Sequence, residues 1–298
     1  MLRSGVGRRS VSWRRVRWRR VRWRPAPNDR FYRLIVGTGQ VLRRLFRIRI
    51  LVTGQEHLPS ALAATTRAGS FRRPVPGEGA VVAITHFGYL DFAVTELLLW
   101  RHNRAQLRFL ITQGAADHWF AGPAISAAGH VVVGYDSGSH AYDAAVQKLR
   151  EGEYIAILPE AGVSRSFHVR DCKTGAVRMA AEAGVPLIPV SVWGAHRIMT
   201  RHHGFSPLRA WRAPVRVHIG EPFNPGPGLE GLDVMAATEA LREALQHGID
   251  AGIADFPLRP GPGAWWMPAA LGGGAPSEEE RRRLEEAEGP RRSRSRRS

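Results

Sequence analysis

The chain has 298 residues, 44% of them hydrophobic, and a single cysteine, Cys172. That length supports a sizeable core in one domain, the lone thiol excludes an intramolecular disulfide, and no C-x-x-C or clustered Cys/His spacing signals zinc, so a reducing compartment is the default. The formal charge of +17 is concentrated at the ends: residues 1–30 hold eleven arginines and one aspartate, residues 277–298 hold eight arginines and six glutamates, and everything between carries only +5.

From Trp13 to Arg24 the chain reads WRRVRWRRVRWR, with Trp13, Trp18 and Trp23 five residues apart. That period fits neither helix nor strand. Arginine with tryptophan suits an anionic membrane interface, would also attract nucleic acid, and is equally compatible with a disordered lead over residues 1–30. Asp29 to Arg49 follows with Leu34, Val41, Leu42, Leu45 and Phe46 at helix-like spacing among basic residues. Such a segment either packs on the domain or lies on a bilayer surface. Val52 to Pro59 reads as a strand end and turn, and residues 60–78, small, polar and proline-containing, as a mobile loop.

The most informative stretch is AVVAITHFGYLD, Ala80 to Asp91. Ala80 to Ile84 has the composition of a buried strand, which places His86 just past its end, and a helix is expected from about Phe92 to Trp100 with Asp91 at its N-cap. On one continuous helix, side chains five apart would diverge by about 140°, but across a strand-to-helix turn they can meet. A carboxylate on one imidazole nitrogen fixes the tautomer and leaves the other nitrogen to take a proton from a hydroxyl. His86 and Asp91 are therefore read as a general-base dyad with no serine of its own, suited to a substrate hydroxyl. The plainer alternative is that each residue only caps its element.

Strands are expected at Leu107–Ile111, Val131–Val133, Tyr154–Leu158, Val185–Gly194 and Val215–Ile219. Helices are expected at Trp119–Ala128, Ser139–Arg150, Lys173–Gly184 and Asp233–Gly248. Pro186 and Pro189 should hold their strand near an edge or a bulge. Alternation of this kind predicts an α/β fold, a central mainly parallel or mixed sheet flanked by helices, with catalytic groups where strands end. One domain over residues 31–258 is expected, followed by a disordered charged tail at 259–298 that contains an acidic-basic helical stretch. No uncharged apolar run reaches the ~18 residues of a membrane span, and the N-terminal arginines lead into no apolar core of a secretory signal.

These motifs, in this order, resemble the glycerophospholipid acyltransferases, the lysophosphatidate (1-acylglycerol-3-phosphate) acyltransferases among them. His86-Phe-Gly-Tyr-Leu-Asp91 matches the family's H-x-x-x-x-D, Leu158-Pro-Glu-Ala-Gly-Val-Ser-Arg-Ser166 is similar to F-P-E-G-T-R-S, and Val185 to Val190 matches V-P-[IV]-[IV]-P-V. The resemblance spans roughly Phe31 to Gly248. It implies an O-acyltransferase domain that moves a fatty acyl group from acyl-CoA or acyl carrier protein to a lysophospholipid hydroxyl, in phospholipid biosynthesis. It further implies no metal or other cofactor, an anionic membrane surface at the cytoplasmic face as partner, and no specific nucleic acid or obligate protein partner. Glu160, Gly162, Ser164 and Arg165 would form the acceptor site. The phosphate-binding arginine of the family's second motif is missing near Val133 to Asp136, where Gly134 and Tyr135 stand. Either Arg165, Lys173 or Arg178 replaces it or the acceptor is not a simple phosphomonoester. Two other classes stay open: a membrane- or nucleic-acid-binding protein with an inactive scaffold, and a hydrolase that uses the same dyad on water.

Overall fold

Ala80–Ile84 is apolar at every position, and the structure, a computed structural model that describes residues 28–59, 74–113, 117, 125–133, 138–226 and 232–295, buries all of it inside a sheet. The Trp13 to Arg24 stretch lies outside the described residues, as do most of the loop at 60–78, most of the helix expected at Trp119–Ala128, and Gly134 and Tyr135. Among the described residues the strands are β1 (Arg49–Thr53), β2 (Ala80–Ile84), β3 (Leu107–Thr112), β4 (Val131–Val133), β5 (Tyr154–Ile157), β6 (Leu187–Trp193) and β7 (Pro214–Ile219). They form one sheet in the order β1-β7-β6-β2-β5-β3-β4. All pairs are parallel except β6 with β7. The fold is thus the α/β mixed sheet anticipated from the alternation of elements.

The helices are α1 (Asp29–Leu45), α2 (Asp91–Asn103), α3 (Gly138–Arg150), α4 (Gly175–Ala183), the single turn α5 (Pro207–Ala210), α6 (Leu232–Ala254) and α7 (Glu278–Ser295). Successive side chains of β2 point to opposite faces, as a period of two requires. Val81 and Ala83 pack in a core with residues of α3, α4 and α6. Ala80, Val82 and Ile84 pack with Val94, Leu98 and Leu99 of α2. Complete burial of an aliphatic such as Ile84 is worth roughly 2 kcal/mol. α1 lies outside α2, with Tyr32 and Val36 against Leu97 and Trp100.

Three expectations are corrected. α6 does not stop at Gly248 but continues to Ala254. A Cβ at Gly248 would stand 2.5 Å from Ser191 Oγ and 2.8 Å from the His218 ring, so this glycine admits close approach of helix to sheet and is no terminator. β6 is a central strand, and the proline expectation holds only in its bulge form. The N–H that Pro189 lacks faces the β7 side, where pairing shifts from Leu187 with Phe223 to Val190 with Ile219, adding one residue opposite. The charged tail begins later than composition suggests. Trp266 and Met267 are buried in the core, and the acidic-basic stretch forms α7, which docks by ion pairs on the loop after β5.

Because α6 approaches β6 through Gly248, Gly248→Val should destabilise the fold by about 1–3 kcal/mol through overpacking, read as a lower urea midpoint at unchanged slope; an unchanged midpoint would mean that the helix has room to move.

Candidate active site

β2 lies between β5 and β6, so the loops after these parallel strands converge at one edge of the sheet. The turn after β2 is held by its backbone. Thr85 N–H donates to the Val190 carbonyl, and Thr85 Oγ1 accepts from Val192 N–H at 2.9 Å, both on β6. His86 N–H donates to Glu160 Oε1 at 2.7 Å, and the His86 carbonyl accepts from Ser164 N–H at 2.9 Å, both in the loop after β5. Phe87 N–H and Gly88 N–H both donate to Asp91 Oδ2 at 2.7 Å. The Thr200 hydroxyl donates to the Phe87 carbonyl and Tyr89 N–H to the Met199 carbonyl. Phe87 itself is wedged against Trp193 and His196. At Gly88 a Cβ would come within 2.7 Å of the His196 backbone. Only glycine passes there.

Asp91 is therefore not an N-cap: Leu90 occupies that position, and the Asp91 side chain folds back on the turn. No hydrogen bond joins the imidazole to it. His86 Nδ1 and Asp91 Oδ1 are both buried and both without a partner. Burial lowers the His86 pKa to about 4, the nearby Arg170 charge acting the same way and a Gly88 backbone group in opposition, so the ring is neutral at pH 7. Burial pushes the Asp91 carboxyl well above its usual range against the pull of the Gly88 and Phe87 amides. Glu160 is likewise raised, to about 7, by burial opposed by the Arg170 and His86 amides.

The His86 ring opens on a cavity of about 490 Å³ lined also by Tyr89, Gly162, Val163, Arg170, Arg201, Glu285 and Glu288. Of the residues expected at the site, His86 and Gly162 line it. Arg165 borders it through Glu288, with which it shares an ion pair. Glu160 is 2% exposed and spends both carboxylate oxygens on backbone amides, of His86 and of Arg170 at 3.0 Å. Ser164 is fully buried and donates to the His168 carbonyl at 2.7 Å. Lys173 and Arg178 are exposed and do not line the cavity; Arg178 acts instead on Tyr142 of α3. Sequence reasoning missed Arg170 and Arg201. Their signal was positional, since each lies in a loop after a strand that flanks β2. Ala161 has φ of +53°, a left-handed conformation, at the position where the resembling motif carries glycine.

A sheet with a histidine turn and an arginine-lined cavity at its strand ends is an enzyme framework of the α/β class. Residues 49–193, from the start of β1 to the end of β6, match the family described as Acyltransferase, which supports an acyltransferase domain over that span. Its fold is similar to the crystal structure of the 1-acyl-sn-glycerophosphate (LPA) acyltransferase PlsC from Thermotoga maritima, with a TM-score of 0.55 and 20% identity over 76% of this chain and 81% of that one. Among curated proteins the sequence comparison finds no match.

Because the Glu160 carboxylate anchors two loops through charged hydrogen bonds, Glu160→Ala should lower stability by roughly 2–4 kcal/mol, measured by chemical denaturation. A loss below ~0.5 kcal/mol would mean that the two amides find other acceptors.

Proposed function

We propose that this acyltransferase moves a fatty acyl group from a thioester, on coenzyme A or acyl carrier protein, to a hydroxyl of a phosphate-bearing lysophospholipid such as 1-acylglycerol-3-phosphate, in phospholipid synthesis. The observation that carries the reading is one cavity holding a neutral, partly buried imidazole beside Arg170 and Arg201, with Arg165 at its border. Arginines supply forked donors for a phosphate, and the imidazole supplies a base for the hydroxyl next to it.

His86 takes the hydroxyl proton as the acceptor oxygen attacks the thioester carbonyl. The tetrahedral intermediate then expels the thiolate, which receives that proton from the imidazolium. The N–H groups of Gly162 and Val163 on the cavity wall make no hydrogen bond among the described residues and are available for the oxyanion. His86 Nδ1 and Asp91 Oδ1, each buried without a partner, are read as each other's partner in the reacting complex, where catalytic hydrogen bonds tighten. A carboxylate there would stabilise the imidazolium that burial alone disfavours. Glu160 is a positioning residue: it fixes the backbone that carries the base.

No described helix is long and apolar enough to cross a membrane. Contact with lipid is assigned to the outer side of α1, where Leu34, Val41 and Leu45 are exposed. Phe46 stacks edge-on against Phe205, and Arg47 lies over Trp211, which joins this side to exposed Phe205, Leu208 and Trp211. An apolar patch edged by Arg30, Arg44 and Arg212 fits an anionic bilayer.

His86→Ala should lower acyl transfer by at least ~10²-fold while the fold is kept; the measurement is thiol release from acyl-CoA with a panel of lysolipids, and release without an acylated product would mean hydrolysis. Because the His86 pKa is near 4 and that of Glu160 near 7, activity should fall as pH drops through about 7, where Glu160 takes up a proton and relaxes its hold on the turn. Glu160→Gln, which cannot titrate, should be slower at high pH and lack that limb. An acid limb that survives unchanged would assign it to another group.

A further inference from the structure

α7 is an unusual helix to find against a core. It has six glutamates and six arginines along its length, its only described leucine, Leu284, is exposed, and Arg281 is its one buried residue among those described. What holds it is ionic. Glu288 pairs with both Arg165 and Arg201, and Glu285 pairs with Arg170 at 2.9 Å and with Arg281 at 2.8 Å. Ser166 donates to Glu278, which also pairs with Arg281 at 2.9 Å. Two carboxylates thus reach Arg170 and Arg201 of the cavity and line it together with His86 and Tyr89.

These carboxylates use the arginines incompletely. Nε of Arg165 and Nε of Arg170 are buried and have no partner. A guanidinium offers five N–H donors in a fixed fork, and two carboxylates one turn apart on a helix leave donors over that a compact tetrahedral anion with three free oxygens could engage.

We propose that α7 is an internal competitor for the acceptor's phosphate: Glu285 and Glu288 occupy Arg165, Arg170 and Arg201 in the resting protein, and the phosphomonoester of the acceptor displaces them to enter. This deepens the functional reading above and rests on its assignment of the cavity as the acceptor site. The chemistry is an exchange of two carboxylates for one phosphate on the same guanidinium groups, with no covalent step. It follows that the affinity of the open site is masked by the fraction of time in which α7 is docked.

The test uses the full chain and inorganic phosphate as probe. If α7 is docked nine-tenths of the time, removing its grip tightens apparent affinity about ten-fold. The double variant Glu285→Gln/Glu288→Gln should therefore bind phosphate about ten times more tightly by calorimetry, whereas Glu286→Gln, on an exposed position of the same helix, should bind as the unaltered chain does. Equal phosphate affinity in all three overturns the proposal. Should the double variant fail to fold, the unaltered chain answers: phosphate should speed amide hydrogen exchange over 278–288 relative to chloride at the same ionic strength, and unchanged or slower exchange overturns the proposal. In turnover, the double variant should lower KM for an acceptor with a terminal phosphate and leave KM for one with a neutral headgroup unaltered. An equal drop for both would make α7 a steric cover and refute competition for the anion. Phosphate binding that tightens in a protein without acyl transfer would leave this competition standing and remove the acyltransferase reading; transfer with unaltered phosphate binding would do the reverse.

Discussion

The structure depends on two buried carboxylates that grip three consecutive backbone amides. Asp91 accepts from Phe87 and Gly88, and Glu160 accepts from His86. Burying a carboxylate costs several kcal/mol after relaxation, and the cost is offset only when fixed donors replace the lost water. Here the donors are peptide N–H groups that an ordinary helix start or sheet edge would leave to solvent. The exchange makes the turn rigid at the residue whose side chain must stay partly free. His86 is pinned through its main chain, and its Nδ1 is left without a hydrogen-bond partner.

Sheet order explains why Glu160 and Thr200 can reach the same turn. β2 has β5 on one side and β6 on the other, all three parallel, so Glu160 after β5 and Thr200 after β6 arrive at the same end as His86. An antiparallel neighbour in either position would have sent its following loop to the far edge. The one antiparallel pair is β6 with β7, and the loop that joins them, 194–213, brings Met199, Thr200 and Arg201 to the site. The arginines follow the same logic: Arg165 and Arg170 belong to the loop after β5, and Arg201 to the loop after β6.

Much of this was legible in the sequence because the signals were local. Runs such as Ala80–Ile84 and Leu187–Trp193 announce buried strands by composition, and Gly184, with φ of +67°, stops α4 where a helix-ending glycine was expected. The role of Asp91 was misread in part, since a cap and a fold-back onto the preceding turn place the same residue at the same position and differ only in which amides the carboxylate meets. Gly248 was taken as a stop because sequence shows the absence of a side chain but not the strand beneath it. Arg170, Arg201 and the docking of α7 were out of reach for a different reason. They depend on contacts 87 to 123 residues apart, such as Arg201 or Arg165 with Glu288, and no periodicity records which loop a charged helix will meet.

A last consequence concerns how firmly the parts are held. The sheet is stabilised by apolar burial, which added salt strengthens or leaves alone, whereas α7 contributes no buried apolar side chain among its described residues. Its attachment is screened over a Debye length of ~8 Å at physiological ionic strength. The element held mainly by ion pairs therefore borders the cavity that His86 lines. Opening of α7, as proposed above, would uncover that cavity and leave the apolar core of the sheet intact.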